Sequence, residues 1–571
     1  VRLTAESQQT SGNGSTAATT FFKKTPGKYE IEAAWESDEL TVFASDVTIP
    51  GSAVNPGGTY RVRCKMKDAT GRWSHWSNPV QFVAGEPLAA GAMADLRITE
   101  LMYNPLPSDT LDGDEFEFIE LKNTGSDTLD LTGVSFTNGV TFDFADSNVT
   151  TLGPGRFVLV VKNRSAFESR YGSALSTLIA GQYEGKLANA GESVTLVDYW
   201  TGTVTDFEYG DDSLWPAAAD GGGYSLVPLD SALADEPQGS LNYPLNWRAS
   251  AYPGGSPGQD DPAATQSLVI NEFMANATTG GDWIELYNPT ASAVNLVGWY
   301  LSDDVSEPAK WAIPAGSIAA GGFKSFDHID GFGLGWDGEE VVLSYLPGTG
   351  EDRIVDAVQF EAQEPDVSCG CYPDGGPYWQ RMMPSEGSAN AVPILDVMIS
   401  EIMYHPLDPN DEYVELYNPT SQAVSLGNAD IVWRLDGAVD YNLPAGASIP
   451  AGGRVVIVGF DPAVETSRLN ALVTAYGGST LTPGVQIFGP WQGSLSNAGE
   501  RLAIEKTLPA EDLTDADGWA VVDEVTYSDA APWPAQADGQ GSALQRIALD
   551  ATHSGNDPAN WQAASPTPGR P

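Results

Sequence analysis

One motif occurs three times in this chain and limits what the chain can fold into more than any other feature. In each copy an Ile-x-Glu segment is followed, after an acidic loop, by an acid, an aromatic residue, a β-branched residue, Glu, Leu, any residue and Asn. The copies are 98–100 with 117–123, 270–272 with 282–288, and 399–401 with 412–418. Because further landmarks follow each copy in one order, the pattern predicts three tandem domains of one fold.

The later landmarks also repeat. They comprise Gly-led strands at 153–161, 321–326 and 452–458, Asn-Ala-Gly-Glu turns at 189–192 and 497–500, and a related Asp-Gly-Glu-Glu turn at 337–340. Copies one and three add a Trp-Pro pair, an Asp-Gly pair and an Asn-Trp pair before a tail rich in Pro and Gly. The unequal spacing of the landmarks is typical of loop insertions on separate domains.

The runs between these landmarks predict the fold class. Each copy holds about seven short, alternating runs of β-branched and aromatic residues, separated by Gly, Pro, Asn and Asp. Such runs are typical of a sandwich of two antiparallel sheets. Helical periodicity is confined to 165–171 and a counterpart at 462–475. We therefore predict an all-β chain with a surface helix inserted between strands in copies one and three.

The opening residues resemble a known family. Residues 98–105 read Ile-Thr-Glu-Leu-Met-Tyr-Asn-Pro, residues 399–406 read Ile-Ser-Glu-Ile-Met-Tyr-His-Pro, and 415–419 read Glu-Leu-Tyr-Asn-Pro. They resemble the bacterial lamin-tail domain family, which implies tandem immunoglobulin-like β-sandwiches of a kind found in secreted and surface proteins. The resemblance gives lamin-tail-like domains at 95–262, 267–392 and 395–571. The middle copy departs most, having Ala275-Asn276 where the others have a Tyr-x-Pro turn.

A different module precedes the repeats, at 1–85. Residues 60–66 alternate between apolar and basic side chains, and Trp-Ser-His-Trp-Ser follows a turn. These features resemble the penultimate strand and the Trp-Ser-x-Trp-Ser box of fibronectin type III domains. The resemblance implies a stabilising cation–π ladder between Arg61, Arg63, Trp73 and Trp76. Residues 1–30 offer poor first strands, so we expect either an N-terminally incomplete module, in a mature or partial product, or irregular first strands.

Composition excludes several classes of partner. The chain has 571 residues, 42% of them hydrophobic, and a formal charge of −49 from 77 acids and 28 bases. This charge argues against nucleic acid and anionic membrane surfaces as partners. No apolar run is long enough to predict insertion into a membrane.

The three cysteines do not form a disulfide framework. Cys64 falls on the predicted inward face of its strand, as a buried free thiol. Cys369 and Cys371 are too close for a relaxed bridge, which leaves a strained vicinal-type disulfide, pairing between chains, or free thiols. The scattered cysteines and histidines do not support a zinc site.

Acidic loops form the first candidate site. Their carboxylates are Asp109, Asp112 and Asp114, then Asp408, Asp411 and Glu412, then Asp515 and Asp517. Ca²⁺ takes six to eight oxygen ligands, which such loops can supply. None has the EF-hand spacing, and the alternative is solvated acids in Asx turns. The sequence therefore requires no cofactor and allows calcium.

The repeated glutamates form the second candidate site. The pairs are Glu100 with Glu120, Glu272 with Glu285, and Glu401 with Glu415, each close enough in sequence for its two strands to be hairpin neighbours. Facing carboxylates repel unless they share a cation, a proton, or backbone and Arg donors. The favoured interpretation is structural, with each glutamate bound to loop backbone. A general acid/base pair is a formal alternative, but no accessory His or Arg set accompanies it.

Two tryptophans form the third candidate site. Trp215 and Trp533 lie in Pro-flanked, Gly-rich loops, from which an indole can stack on a sugar or contact a partner. The alternative is that each indole plugs the open end of its sandwich.

These observations predict a non-catalytic extracellular or cell-surface protein, structural or adhesive, built as a string of β-sandwiches. Its partners would be other protein chains, cell-surface glycans or further copies, joined through exposed edge strands into a filament or surface layer. The alternative is a calcium-assisted or carbohydrate-binding accessory region of a larger secreted enzyme. No catalytic residues are predicted, since the sequence shows no nucleophile elbow, phosphate loop or metal-ligand set.

Overall fold

The computed structural model describes residues 2–8, 35–37, 49, 59–68, 70–83, 93–211, 214–229, 241–262, 267–327, 329, 331–408, 411–428, 430–476, 481–508, 518–529 and 531–570. The chain forms two compact units, Val1–Ala92 and Met93–Pro571. The first unit is a four-stranded antiparallel sheet in the order β2-β1-β3-β4. Its strands are β1 (Arg2–Gln8), β2 (Trp35–Glu36), β3 (Thr59–Lys65) and β4 (Val80–Val83).

The Trp-Ser-His-Trp-Ser box folds back on β3. The Trp76 ring lies 5.0 Å from the Arg63 guanidinium and 4.4 Å from Lys65 Nζ, and the Trp73 ring lies 5.0 Å from Lys65 Nζ. Lys67 extends the ladder, with Nζ 5.3 Å from the Trp73 ring. Arg61 lies on the same strand. Two box serines accept backbone bonds from residues of the facing segment: Ser74 from the Met66 N–H and Ser77 from the Cys64 N–H. Likeness to fibronectin type III domains stays a prediction.

The second unit holds three domains of one strand plan, called domains 1, 2 and 3. Domain 1 contains helix α1 (Arg164–Tyr171) and the strands β5 (Leu96–Met102), β6 (Phe118–Asn123), β7 (Leu129–Asp130), β8 (Val134–Asn138), β9 (Val140–Asp143), β10 (Thr151–Leu152), β11 (Phe157–Val161), β12 (Ile179–Gln182), β13 (Glu184–Gly185), β14 (Glu192–Asp198), β15 (Gly202–Tyr209), β16 (Leu226–Pro228) and β17 (Trp247–Ala249). One sheet has the order β12-β11-β6-β5-β16-β17 and the other β13-β9-β8-β14-β15.

Domain 2 is smaller. Its strands are β18 (Val269–Met274), β19 (Trp283–Tyr287), β20 (Val294–Asn295), β21 (Trp299–Ser302), β22 (Trp311–Ala312), β23 (Ser317–Ile318), β24 (Phe323–Asp327), β25 (Gly338–Tyr345), β26 (Arg353–Glu361), β27 (Ser368–Cys371) and β28 (Trp379–Met382). The two main sheets have the orders β24-β19-β18-β27-β28 and β22-β21-β25-β26.

Domain 3 repeats the plan of domain 1. It contains helix α2 (Thr466–Ala475) and the strands β29 (Met398–Met403), β30 (Tyr413–Tyr417), β31 (Val424–Ser425), β32 (Trp433–Gly437), β33 (Val439–Asn442), β34 (Ser448–Ile449), β35 (Arg454–Val458), β36 (Ile487–Phe488), β37 (Gln492–Gly493), β38 (Gly499–Thr507), β39 (Trp519–Ser528), β40 (Ala543–Arg546) and β41 (Trp561–Ala564). Its sheets have the orders β36-β35-β30-β29-β40-β41 and β37-β33-β32-β38-β39.

Each domain buries its own core between the two sheets. In domain 1, Leu121 from one sheet and Leu196 from the other belong to one apolar cluster and are fully buried. Burying such a leucine contributes about 1.5–3 kcal/mol, which is why the alternating pattern fixes the register of each strand. The all-β, immunoglobulin-like prediction is confirmed, and the helices lie near 165–171 and 462–475 as expected. Neither of these described helices is long and apolar enough to cross a membrane.

The three domains pack against one another instead of forming an open string. The Ile354 N–H of domain 2 donates to the Tyr224 hydroxyl of domain 1 at 2.6 Å. Tyr243 of domain 1 donates its hydroxyl to the Asn556 carbonyl of domain 3 at 3.1 Å. Cavities of about 530, 410 and 100 Å³ lie between domains 1 and 2, 1 and 3, and 2 and 3, respectively. Strands β15, β26 and β39 line these cavities, so several long sheet edges face other domains.

Candidate functional site

The repeated glutamates lie opposite one another on neighbouring strands. The cross-strand partners are Glu100 and Glu120 on β5 and β6, Glu272 and Glu285 on β18 and β19, and Glu401 and Glu415 on β29 and β30. All six side chains are buried, with at most 2% of their surface exposed. The short sequence spacing therefore predicted the hairpins correctly. Six buried carboxyl groups need hydrogen-bond donors that compensate for their loss of water.

In domain 1 the compensating donors come from the chain after the last strand. The Ser256 N–H donates to Glu100 Oε1 at 2.9 Å, and the Gly258 N–H donates to Glu120 Oε2 at 2.5 Å. The Ser225 hydroxyl also donates to Glu100 Oε1, at 2.5 Å. Buried carboxylates are tolerated when backbone N–H groups donate to them. These hydrogen bonds therefore compensate the buried glutamate pair and also fix the position of the tail.

Domains 2 and 3 repeat this arrangement. The Ser385 N–H donates to Glu272 Oε1 at 3.0 Å and the Gly387 N–H to Glu285 Oε2 at 2.5 Å. The Thr567 N–H donates to Glu401 Oε1 and the Gly569 N–H to Glu415 Oε2, both at 2.8 Å. We call the triplets Ser256–Gly258, Ser385–Gly387 and Thr567–Gly569 the tail clasps. Sequence reasoning missed them, although a Ser/Thr-x-Gly triplet in each Pro/Gly-rich tail was a usable signal.

Burial raises the pKa of several of these carboxyl groups. It raises the pKa of Glu100 to about 7 and that of Glu120 to about 8, the latter also through the neighbouring Glu100 charge. Burial likewise raises the pKa of Glu415 to about 7 and raises those of Glu272 and Glu285. The first pair therefore holds a proton near neutral pH, which removes the repulsion between its carboxyl groups. Because the tail covers each pair, the geometry favours the structural interpretation over a general acid/base pair.

The other polar residues of the motif are also used inside each domain. The acid at the start of the motif's second segment accepts a leucine N–H. Glu117 Oε2 accepts from Leu187 at 3.0 Å, and Glu412 Oε2 accepts from Leu495 at 3.3 Å. The closing asparagine donates its side chain to backbone carbonyls, as Asn418 does to Ile449 O at 2.9 Å. The motif thus encodes hydrogen bonds that join strands to loops.

The acidic loops do not converge into a metal centre in the described residues. Asp114 pairs with Lys186 at 3.0 Å, and the Tyr476 hydroxyl donates to Asp411 at 3.3 Å. Asp109 and Asp112 are exposed. Across the described part of the chain, no group of three or more His, Cys, Asp or Glu side chains is arranged to hold a metal ion. Asp408 is described, Asp515 and Asp517 lie outside the described residues, and calcium binding at these loops stays a prediction.

The proposal of Trp215 and Trp533 as partner contacts is corrected by their burial. Trp215 is 9% exposed and Trp533 is 2% exposed, and both belong to the cores of their domains. Their rings lie 6.1 Å from Trp247 and 6.0 Å from Trp561, the Asn-Trp residues near the end of each copy. Each Trp-Pro loop folds back over the core because an indole buries a large apolar area there. The carbohydrate-binding alternative thereby loses its aromatic anchors.

All three cysteines are free thiols. Cys369 and Cys371 lie two residues apart on β27. Burial raises the pKa of the Cys369 thiol to about 12 and raises that of Cys371 as well. Thiolate reactivity is therefore suppressed at both positions. Cys64 is half-buried, less enclosed than its strand alternation predicted.

Replacing Glu120 with glutamine should weaken the pH dependence of domain 1 stability. In the folded state the pKa of Glu120 is raised from 4.5 to about 8, so the contribution of this group is fully present below pH 4.5 and is lost as pH rises through 8. Glutamine cannot titrate, so Glu120→Gln should gain stability relative to the native chain between pH 5 and pH 9, on the order of 4 kcal/mol. Urea denaturation of both proteins at pH 5, 7 and 9 measures this difference. A difference that stays constant with pH would contradict the raised pKa.

The three repeats match a known domain family. The family model described as Lamin Tail Domain matches residues 89–211, 261–353 and 391–529. No curated protein matches the chain. Among solved structures, the chain is similar to the crystal structure of a DUF4876 family protein from Bacteroides thetaiotaomicron VPI-5482, with 10% sequence identity and a TM-score of 0.19 over 53% of this chain and 93% of that chain. At that TM-score the likeness carries no structural argument.

Proposed function

Because this chain belongs to the lamin tail domain family, whose domains are immunoglobulin-like β-sandwiches, we propose that it is a non-catalytic structural protein of the extracellular space or cell surface. We further propose that it associates with a second copy through an open sheet edge on domain 2. The location rests on the resemblance of the repeats to domains of secreted and surface proteins. Self-association is supported by a structural difference between domain 2 and domains 1 and 3, which flank it in the chain.

Domains 1 and 3 cover the sheet edge beyond β11 and β35. In domain 1 a parallel strand, β12, follows helix α1, and the Leu159 N–H donates to the Leu178 carbonyl at 2.9 Å. In domain 3 the parallel strand is β36, and the Val456 N–H donates to the Gln486 carbonyl at 2.9 Å. These added segments satisfy main-chain groups that an edge strand otherwise turns toward solvent.

Domain 2 has the same edge without this cover. Ser325 of β24 takes the place of Leu159 and Val456, since each of the three residues lies opposite the second glutamate of its pair. By the same pairing, the Ser325 N–H points away from β19. Among the described residues, no strand pairs with β24 on that side. The edge of β24 is therefore a site for strand addition.

The edge is self-complementary, which supports a second copy as the occupant. Antiparallel pairing centred on Ser325 would place Lys324 of one copy opposite Phe326 of the other, and Lys324 Nζ already lies 5.7 Å from the Phe326 ring within one strand. Contacts between two copies of one patch are the commonest form of closed association. Since each copy carries a charge of −49, the copies repel at low salt, and added salt should strengthen their association.

Replacing Ser325 with proline should strongly weaken this association. Proline has no N–H to donate, yet it is tolerated at edge positions whose N–H faces solvent. Ser325→Ala is the matched control, because it also loses the hydroxyl that donates to Glu285 Oε2 but keeps the N–H. We expect sedimentation velocity at 0.5 M NaCl to show a dimer for the native chain and for Ser325→Ala, and at least tenfold weaker association for Ser325→Pro. Thermal unfolding checks that all three proteins are folded.

Two results would contradict the proposal. One is a native chain that remains monomeric at every concentration and salt level. The other is a folded Ser325→Pro variant that dimerises as readily as Ser325→Ala.

A further inference from the structure

We propose that copies of this chain associate head to tail, with the loop of domain 3 that contains Gln536 packing on the outer face of β14 in domain 1 of the next copy. A contact of this kind occurs twice inside the chain, and in the described structure each of its two surfaces recurs once without a cover. The contact uses no residue of β24, so it is separate from the strand addition proposed above.

Domain 1 covers domain 2 with the segment between β15 and β16. Ala218 and Tyr224 of this segment form one apolar cluster with Val342 of β25 and Ile354 of β26, and all four residues are buried. The Ile354 N–H donates to the Tyr224 hydroxyl at 2.6 Å. We call the segment that follows β15, β26 or β39 the loop face of its domain. The strand face is the outer surface of β14 and β15, β25 and β26, or β38 and β39, with the turn that connects them.

Domain 2 covers domain 3 in the same way. Ala362 follows β26 and packs with Leu508, in the turn after β38, and with Ala520 of β39, and all three residues are buried. At the same boundary Arg501 Nη2 of β38 lies 2.9 Å from Glu361 Oε1 of β26. The loop face of one domain thus packs on the strand face of the next domain twice in succession, which is a head-to-tail contact.

The outer residues of the first strand in each strand face show where that face is covered. Side chains alternate across a strand, so the neighbours of a core residue face outward. The aligned core residues and their cross-strand partners are Leu196 with Phe136, Leu301 with Leu343, and Leu435 with Ile504. In domains 2 and 3 the outward neighbours are at most 1% exposed: Val342, Ser344, Ala503 and Glu505. In domain 1 the outward neighbours are Thr195 and Val197, and both are partly exposed.

The turn beyond this strand differs in the same direction. Trp200 takes the place of Leu508, because each follows a residue, Tyr199 or Thr507, whose N–H donates to the carbonyl that precedes β8 or β32. Leu508 is 6% exposed in its contact with domain 2, whereas Trp200 is 56% exposed and Tyr199 is 67% exposed. Aromatic side chains are enriched in protein interfaces, so domain 1 has an open strand face with an interface residue in its turn.

The loop face of domain 3 is open as well. Gln536 takes the place of Ala218, because each is the middle residue of a short 3-10 helix after a Trp-Pro pair. Ala218 is buried against domain 2, whereas Gln536 is exposed. Leu407, which lies beside Gly541 of the same loop, is 77% exposed. One chain therefore has an open loop face and an open strand face, the two surfaces that a head-to-tail contact with another copy requires.

The contact between copies is weaker than the two contacts inside the chain. Its surfaces are more polar, with Thr195 in place of Val342 and Gln536 in place of Ala218. Inside the chain, covalent linkage also gives neighbouring domains an effective concentration in the millimolar range, which separate copies do not have. We therefore expect association between copies at about 0.1–1 mM protein.

Sedimentation velocity of the Ser325→Pro chain tests the proposal, because this change blocks strand addition at β24 and leaves both faces intact. At the salt concentration used above, we expect the weight-average sedimentation coefficient to rise as the protein concentration increases from about 0.01 to about 1 mM. Thermal unfolding checks that this chain and the variants below are folded.

Two further changes, each made in the Ser325→Pro chain, act on one face at a time. Trp200→Ser removes the exposed indole from the strand face of domain 1. Gln536→Glu places a charge in the loop face of domain 3, and an unpaired charge is costly to bury in a contact. Each change should weaken association at least tenfold. Val464→Ser is the control and should associate within twofold of its parent, since Val464 is 75% exposed, precedes α2 and belongs to neither face.

Mixing the two variants identifies a head-to-tail contact. The Trp200→Ser chain keeps its loop face and the Gln536→Glu chain keeps its strand face, so we expect the mixture to form a complex with one copy of each. The absence of a complex in the mixture would overturn the proposal. A folded Ser325→Pro chain that stays monomeric up to about 1 mM protein would also overturn it.

Failure of this contact and failure of the β24 pairing give different results. A Ser325→Pro chain that associates as readily as Ser325→Ala, and loses association on Trp200→Ser, would contradict the β24 pairing and support the head-to-tail contact. A Ser325→Pro chain that does not associate, beside a Ser325→Ala chain that dimerises, would do the reverse.

Discussion

Replacing Glu401 with alanine is expected to lower the free energy of unfolding of domain 3 by about 4 kcal/mol, because a buried acceptor that serves several donors is lost. Glu401 accepts the N–H and the hydroxyl of Thr567, each at 2.8 Å. It also accepts the Tyr413 hydroxyl at 2.5 Å and the Gln545 amide at 3.2 Å. Removing the carboxylate takes this acceptor from the Thr567 N–H and the Tyr413 hydroxyl and releases the tail clasp, whereas the Gln545 amide still donates to the Ser565 carbonyl.

Hydrogen exchange of the amides in β29 and β30, measured across a guanidinium series, reports the stability of domain 3 within the full chain. Asp440→Ala is the control, since Asp440 is an exposed carboxylate on β33 of the same domain. The control should change stability by less than about 0.5 kcal/mol. A loss of similar size for Glu401→Ala would mean that the clasp does not stabilise the domain.

Replacing Arg546 with alanine is expected to cost domain 3 about 3–5 kcal/mol, the range for breaking a buried ion pair by removing one partner. Arg546 Nη1 lies 2.6 Å from Asp523 Oδ2, and both residues are buried. Asp523 Oδ2 also accepts the Ile399 N–H at 2.8 Å, so the pair ties β39 and β40 to the first strand of the domain.

A double-mutant cycle separates the pair from its surroundings. The double variant Arg546→Ala with Asp523→Asn should lose much less stability than the sum of the losses of the two single variants. The asparagine removes the charge that Arg546→Ala leaves unpaired. The two single variants and the double variant are measured by the same hydrogen-exchange series. Additive losses would show that the two side chains do not act together.

Domain 2 has a thiol where domain 3 has the guanidinium of Arg546. Asp356 takes the place of Asp523 and accepts the Ile270 N–H at 2.8 Å, while Cys371 takes the place of Arg546 on β27. With a thiol in place of the guanidinium, burial raises the pKa of Asp356 to about 7. Both domains thus place an aspartate at this position as the acceptor for an N–H of their first strand.

The repeated motif shows how far sequence reasoning reaches. Alternation predicted the buried strands, and the short spacing of Glu401 and Glu415 predicted hairpin neighbours, because both depend on residues close in sequence. The same reasoning left the donors to these carboxylates unnamed. It also gave Trp215 and Trp533 a surface role, since a loop rich in Pro and Gly does not reveal which way its indole turns.

By itself, then, the sequence determined three lamin-tail sandwiches, their paired glutamates and the acidic character of the chain. Strand period and turn chemistry are local properties, and charge is a sum over residues. Only the tertiary structure decided that Thr567 meets Glu401 across 166 residues of chain, that domains 1 and 3 enclose an acidic cavity, and that no described strand pairs with the outer edge of β24. These features depend on how distant segments close on one another, and the free energy of that closure comes from packing and buried hydrogen bonds that no short stretch of sequence contains.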